Sequence, residues 1–97
     1  MRLERSELAD ADLDDILVYS LTRFGEAIAH DYYFGFETAF ALLERFPNAG
    51  QAMDHFGASV RRLTHRRHHI YYEVQADRIL VLRVLHHAMK AEGRIGG

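Results

Sequence analysis

Ninety-seven residues make one domain with room for a single core, and the absence of cysteine excludes disulfides, thiolate metal sites and cysteine nucleophiles. The formal net charge of -2 is the small difference between unlike halves: four Lys/Arg against eleven Asp/Glu up to Asp54, eight against three beyond it. No apolar run approaches the ~20 residues of a membrane span, and Met1-Arg2-Leu3-Glu4-Arg5 has no signal-peptide core behind it, so a cytoplasmic protein with no membrane partner is expected.

Along the chain, Arg2 to Ser6 reads as a short edge strand. Ser6 or Asp10 caps a first helix whose early turns hold Asp10, Asp12, Asp14 and Asp15, where carboxylates suit the positive end of the helix dipole. Leu13, Ile16, Leu17, Ser20 and Phe24 fall on one helical stripe, and Gly25 stops it. A second helix is predicted from about Glu26 to Arg45, with the stripe Ala29, Tyr32, Phe36, Ala39, Phe40 and Leu43, ended by Pro47-Asn48-Ala49-Gly50. So short a gap between helices implies an antiparallel hairpin. Gln51 to Gly57 has no strong period. Three strands follow at about 59–64, 68–74 and 78–85, the last two joined by the turn Gln75-Ala76-Asp77. The third is apolar on both faces, which places it centrally. Residues 87–97 read as a turn or two of helix followed by a frayed tail. The sum is an α+β fold: a helical hairpin on one face of a small antiparallel sheet, the other face left concave and free.

The basic half concentrates its candidates on the strands. Arg61 and Arg62 are neighbours on a strand, so they point to opposite faces, and one of them meets the free side. Arg66 and Arg67 lie in a turn, where a solvated surface is the plain reading. Arg83 sits inside the most apolar run. It either reaches the open sheet face, the favoured reading, or pairs internally with an acid of the helical hairpin. His86 and His87 close that strand, and His titrates near neutral pH. No metal-ligand spacing, Gly-rich phosphate loop or Gly-x-Ser-x-Gly is present, so no metal, cofactor or catalytic residue is expected. Tyr33 and Phe34 lie off the buried stripe of the second helix. They serve either a partner surface or a helix wedged between its hairpin mate and the sheet.

Ala11-x-Leu13-x-x-Ile16-x-x-Tyr19, Phe24-Gly25, Ala29-x-x-Tyr32, Ala39-Phe40, Leu43 and Pro47 resemble the helical half of the ParE toxins. Val60-Arg61, His69-Ile70-Tyr71-Tyr72 and Arg83-Val84-Leu85-His86-x-x-Met89 resemble their sheet half. The resemblance runs from about residue 3 to residue 90 and implies the toxin of a type II toxin–antitoxin pair in the ParE/RelE superfamily. It implies inhibition of DNA gyrase by stabilising its cleaved DNA complex, with replication blocked. It also implies neutralisation by a ParD-like antitoxin in a hetero-oligomer, whose ribbon-helix-helix part alone contacts promoter DNA. The site residues expected on this basis are Arg61, Arg62, Tyr72, Arg83 and His86 on a target- or antitoxin-facing sheet, and Leu17, Tyr33 and Phe34 on antitoxin-binding helices. One alternative on the same fold is a RelE-like ribosome-dependent mRNA endonuclease. The slightly negative net charge, the single Lys90 and the lack of a Tyr after His86 speak against it. The other alternative is a non-toxic homologue that only binds its antitoxin.

Overall fold

The computed structural model describes residues 1–95. Strand β1 (Arg2–Arg5) leads into helices α1 (Glu7–Phe24) and α2 (Glu26–Arg45). A two-residue strand β2 (Gln51–Ala52) and a single 3-10 turn (Asp54–Phe56) precede β3 (Val60–His65), β4 (His68–Val74) and β5 (Arg78–His86). The five strands form one sheet in the order β1-β5-β4-β3-β2. β5 lies inside the sheet, as its two apolar faces require. The sheet is mixed rather than purely antiparallel, because β1 runs parallel to β5 with Leu3 beside Ile79. The intervening α1, α2 and β2–β4 supply the long crossover that a parallel pair needs.

Local chemistry sets the helix limits. Ser6 is the α1 N-cap, its hydroxyl accepting from the Ala9 amide at 3.0 Å. Gly25 serves both helices. Its φ of 85° ends α1, its N–H donating to the Leu21 carbonyl, and its own carbonyl accepts from the Ala29 amide at the start of α2.

The helices cover one face of the sheet. Ala9, Leu13, Phe36, Phe40 and Leu43 pack on Ile70, Tyr72, Ile79, Val81 and Val84, all buried. Within the predicted stripes Phe24 departs from expectation: at the helix end it has no facing layer and is 53% exposed.

The second face is not left free. Val60, Tyr71 and Leu85 form a second buried cluster with Met53, Ala91 and Ile95, flanked by Phe56 and Leu82. Residues 87–95 form turns, without the expected helix, and fold back across the sheet. Sequence periodicity gave no account of this cover because Met53, Ala91 and Ile95 come from segments with no period. The tail residues 96–97 lie outside the described residues.

A β-bulge breaks the register between β4 and β5. Tyr72 pairs with Val81 and Tyr71 with Arg83, so Leu82 is the extra residue. β1 ends opposite Val81, and the edge of β5 past that point is satisfied by side chains. The Ser6 hydroxyl donates to the Leu82 carbonyl at 2.8 Å, and the Asp12 carboxylate accepts from the Val84 amide at 2.9 Å.

Candidate functional site

Where strands β3, β4 and β5 end beneath the helices, three histidines line up side by side. His65 pairs with His68 across β3 and β4, and His68 with His86 across β4 and β5. Tyr32 and Phe36 of α2 lie over this row, with ring centroids 5.2 and 4.7 Å from His65. Gly35 is needed here: a Cβ at that position would meet the His65 ring.

The polar atoms of the row are largely paired. His65 Nε2 donates to the Tyr32 carbonyl at 3.2 Å. The Tyr32 hydroxyl accepts from the Arg67 amide at 3.3 Å and donates to His68 Nδ1 at 2.6 Å. His86 Nδ1 accepts from the Ala88 amide at 3.1 Å. Burial, with the neighbouring histidines led by His86, pushes the His68 imidazole down to about 4. Burial also raises the Tyr32 phenol, against the pull of the Arg67 amide and the Arg66 and Arg67 charges. His68, at the centre of the row, is therefore neutral at physiological pH.

The row opens into a groove of about 640 Å³ between the helical hairpin and the strand ends. Ile16, Tyr19 and Phe24 of α1 and Ile28 and Tyr32 of α2 make its apolar walls; His68, His86 and Arg67 form the polar floor, and Asp15 stands at the rim. Tyr19, Phe24 and Ile28 are each more than half exposed. Apolar side chains gathered along a groove with a few polar groups beneath them suit an amphipathic segment of another chain.

The residues singled out on the strands do not share one surface. Tyr72 is fully buried among the helices, its hydroxyl donating to the Pro47 carbonyl at 2.7 Å and accepting from the Gly50 amide at 2.9 Å. Arg61 lies on the same side, where its guanidinium donates to the Gly50 carbonyl at 2.8 Å and holds the loop after α2. Arg83, expected on the open face, instead donates twice to Asp12 at 2.8 and 2.9 Å in a mostly buried fork. The bulge and the acid-rich start of α1 bring these two together. His86 lies on the floor of the groove. Of the five, Arg62 alone turns to the face opposite the helices, in a second cleft of about 280 Å³ with His69, Tyr71, His87 and Lys90. On the helices, Leu17 and Tyr33 are half-buried, whereas Phe34 is 70% exposed on the far side of α2 from Tyr32.

Sequence reasoning missed the groove itself, with Tyr19, Ile28 and His68. Its only sequence signal was an excess of exposed apolar residues around the hairpin turn. Among the described residues no three His, Asp or Glu side chains are grouped to hold a metal ion, and no helix is long and apolar enough to cross a membrane.

Two helices on a five-stranded mixed sheet, with an apolar groove at the hairpin end, define a small α+β protein. A family model described as the ParE toxin of type II toxin–antitoxin system, parDE, matches residues 3–91, and the chain belongs to that family. Toxin ParE1 of Caulobacter vibrioides is 35% identical over 91 residues, covering 94% of each chain. A solved chain from the chromosomal ParDE TA system of P. aeruginosa superposes with a TM-score of 0.76. It covers 89% of this chain and 95% of its own length, and at 24% identity it supports the fold.

Proposed function

We propose that this chain arrests growth by binding DNA gyrase and stabilising its cleaved DNA complex, and that a ParD-like antitoxin neutralises it in the cytoplasm by direct binding. The observation that carries the reading is the family match across nearly the whole chain. The geometry supports a binding protein rather than an enzyme: Arg61, Tyr72 and Arg83, three cationic or phenolic groups that RNA cleavage would recruit, are held by internal partners. The groove between α1, α2 and His86 is the proposed antitoxin seat, taking an amphipathic segment whose apolar side chains lie against Tyr19, Phe24 and Ile28.

Induced expression in bacteria followed by a supercoiling assay with purified gyrase tests the first part. Accumulated cleaved DNA is the expected result; defined mRNA cuts with gyrase unaffected would transfer the protein to the ribonuclease branch. Growth without defect, with folded protein present, would leave an antitoxin-binding role alone. Co-purification with the protein of the neighbouring reading frame tests the second part. Ile28→Asp is expected to abolish it, while Phe34→Asp reports whether the antitoxin also reaches the far side of α2.

A further inference from the structure

Two hydrogen bonds inside the fold decide what the groove floor offers to an occupant. The Tyr32 hydroxyl donates to His68 Nδ1, and the Ala88 amide donates to His86 Nδ1. Each Nδ1 is an acceptor already in use, so the ring proton sits on Nε2. His68 is neutral at physiological pH, and that proton is its only one. Among the described residues neither Nε2 has a partner in the fold, and neither is a buried unsatisfied atom. Both N–H groups are therefore accessible, on rings that line the groove. Arg67 lines the same floor. Its neighbour Arg66 is held by Asp31 at 3.2 Å, but among the described residues Arg67 forms no ion pair. The floor is thus made of N–H donors and one uncommitted cation, beneath walls of Ile16, Tyr19, Phe24 and Ile28.

We infer that the groove binds a small amphipathic monocarboxylate, with its carboxylate on Arg67 and the Nε2–H groups of His68 and His86 and its apolar body along Ile16 to Phe24. The guanidinium fork matches the two oxygens of a carboxylate, and the imidazole N–H groups take their remaining lone pairs. The groove volume of about 640 Å³ lies within the range of small-ligand sites, about 300–1,000 Å³. From Ile16 to Phe24 α1 rises about 12 Å at ~1.5 Å per residue, which seats an alkyl chain of about ten carbons. A phosphate or a dicarboxylate fits less well, because one cation faces it, Asp15 stands at the rim and the walls give a second charge no partner. A wholly apolar molecule would cover the floor's donors and leave them without acceptors. Such a ligand fills the seat proposed above for the antitoxin, so the two exclude each other.

The test is isothermal titration of the full chain with decanoate, below its micelle concentration and without antitoxin. A single site with a Kd on the order of 0.1–1 mM is expected, the affinity that about a dozen ligand atoms supply. Decanol, with the same chain and no charge, is expected to bind about tenfold more weakly. Arg67→Gln is expected to weaken decanoate about fivefold. The backbone bonds at that position, from the Arg67 amide to the Tyr32 hydroxyl and from the His87 amide to the Arg67 carbonyl, do not involve its side chain, so the fold is kept. His86→Phe keeps a ring and loses the N–H, for about threefold. Asp15→Asn tightens binding about twofold by removing a like charge from the rim. Arg45→Gln, with the same charge change outside the groove, leaves it unchanged. In NMR spectra the imidazole resonances of His68 and His86 shift with decanoate, while those of His55 in the other cleft stay fixed. The inference is overturned by the absence of saturable binding, by decanol binding as tightly as decanoate, by Arg67→Gln binding like the parent, or by shifts at His55 in place of His68. Displacement of the co-purified neighbouring-frame protein by decanoate supports it further. Decanoate that binds without displacing that protein also supports the ligand site, and overturns the antitoxin seat instead.

Discussion

Arg61 and Arg62 are adjacent on β3 and face opposite sides of the sheet with opposite consequences. On the helix side, every cation that enters the sheet layer is held internally: Arg61 by loop carbonyls, Arg83 by Asp12. On the other side, Arg62 keeps a buried donor without an acceptor, and His69, His87 and Lys90 gather beside it. A basic strand segment is therefore not one surface. The helix-facing cations belong to the fold, and those on the opposite face line an open cleft. The positive charge that distinguishes the second half of the chain divides along that line.

The largest expected effect tests the helix side. Asp12→Ala removes both acceptors of Arg83 and the partner of the Val84 amide, leaving a mostly buried guanidinium without a counter-charge. A loss of about 3 kcal/mol is expected in urea unfolding with an unchanged m-value. Arg83→Met should cost less, since Asp12 keeps the Val84 amide. If Asp12→Ala unfolded like the parent, Arg83 would be free for a partner after all.

Tyr72→Phe comes next. It keeps the ring in the core but strips a partner from the Gly50 amide and from the Pro47 carbonyl, for an expected loss of about 2 kcal/mol. A cost near zero would show that water reaches that corner and that the hydroxyl is available to a ligand.

These two residues also show what was legible in the sequence. The helices, with their Ser6 and Gly25 boundaries, and the three long strands followed from periodicity and capping chemistry, because those signals are local. The parallel pairing of β1 was not local: it depends on where a crossover returns the chain. Arg83 needed two facts that no single-strand reading contains, the bulge at Leu82 and the arrival of Asp12 at the edge that β1 leaves open. Tyr72 alternates with Tyr71, and period two alone left open which of them faced the helices. The histidine row required the registers of β3, β4 and β5 at once, since His65, His68 and His86 are scattered along the chain.

That row gives a smaller, pH-dependent effect. The His68 imidazole lies at about 4 in the folded protein against 6.5 when unfolded, so between these values the unfolded state binds the extra proton. Stability from this residue is full above 6.5 and is lost as pH falls toward 4. Solvent at the groove mouth screens the charge, and the loss attributable to His68 is about 1 kcal/mol. The difference between parent and His68→Gln unfolding curves isolates it from the other titrating groups: the variant should lose less stability over that range. Parallel curves would mean that His68 stays solvated and protonates freely.

The smallest effect decides the comparison most directly. Arg61→Met loses the guanidinium bond to the Gly50 carbonyl and keeps the alkyl packing, for about 1 kcal/mol. Arg62→Met loses one exposed contact with Gln51 and at the same time removes a buried donor that has no acceptor, so the two terms offset and stability should stay within about 0.5 kcal/mol of the parent. Both substitutions keep an unbranched apolar stem and lose one positive charge, so a difference between them reports on face and not on charge. Equal losses would make Arg62 a structural residue like its neighbour.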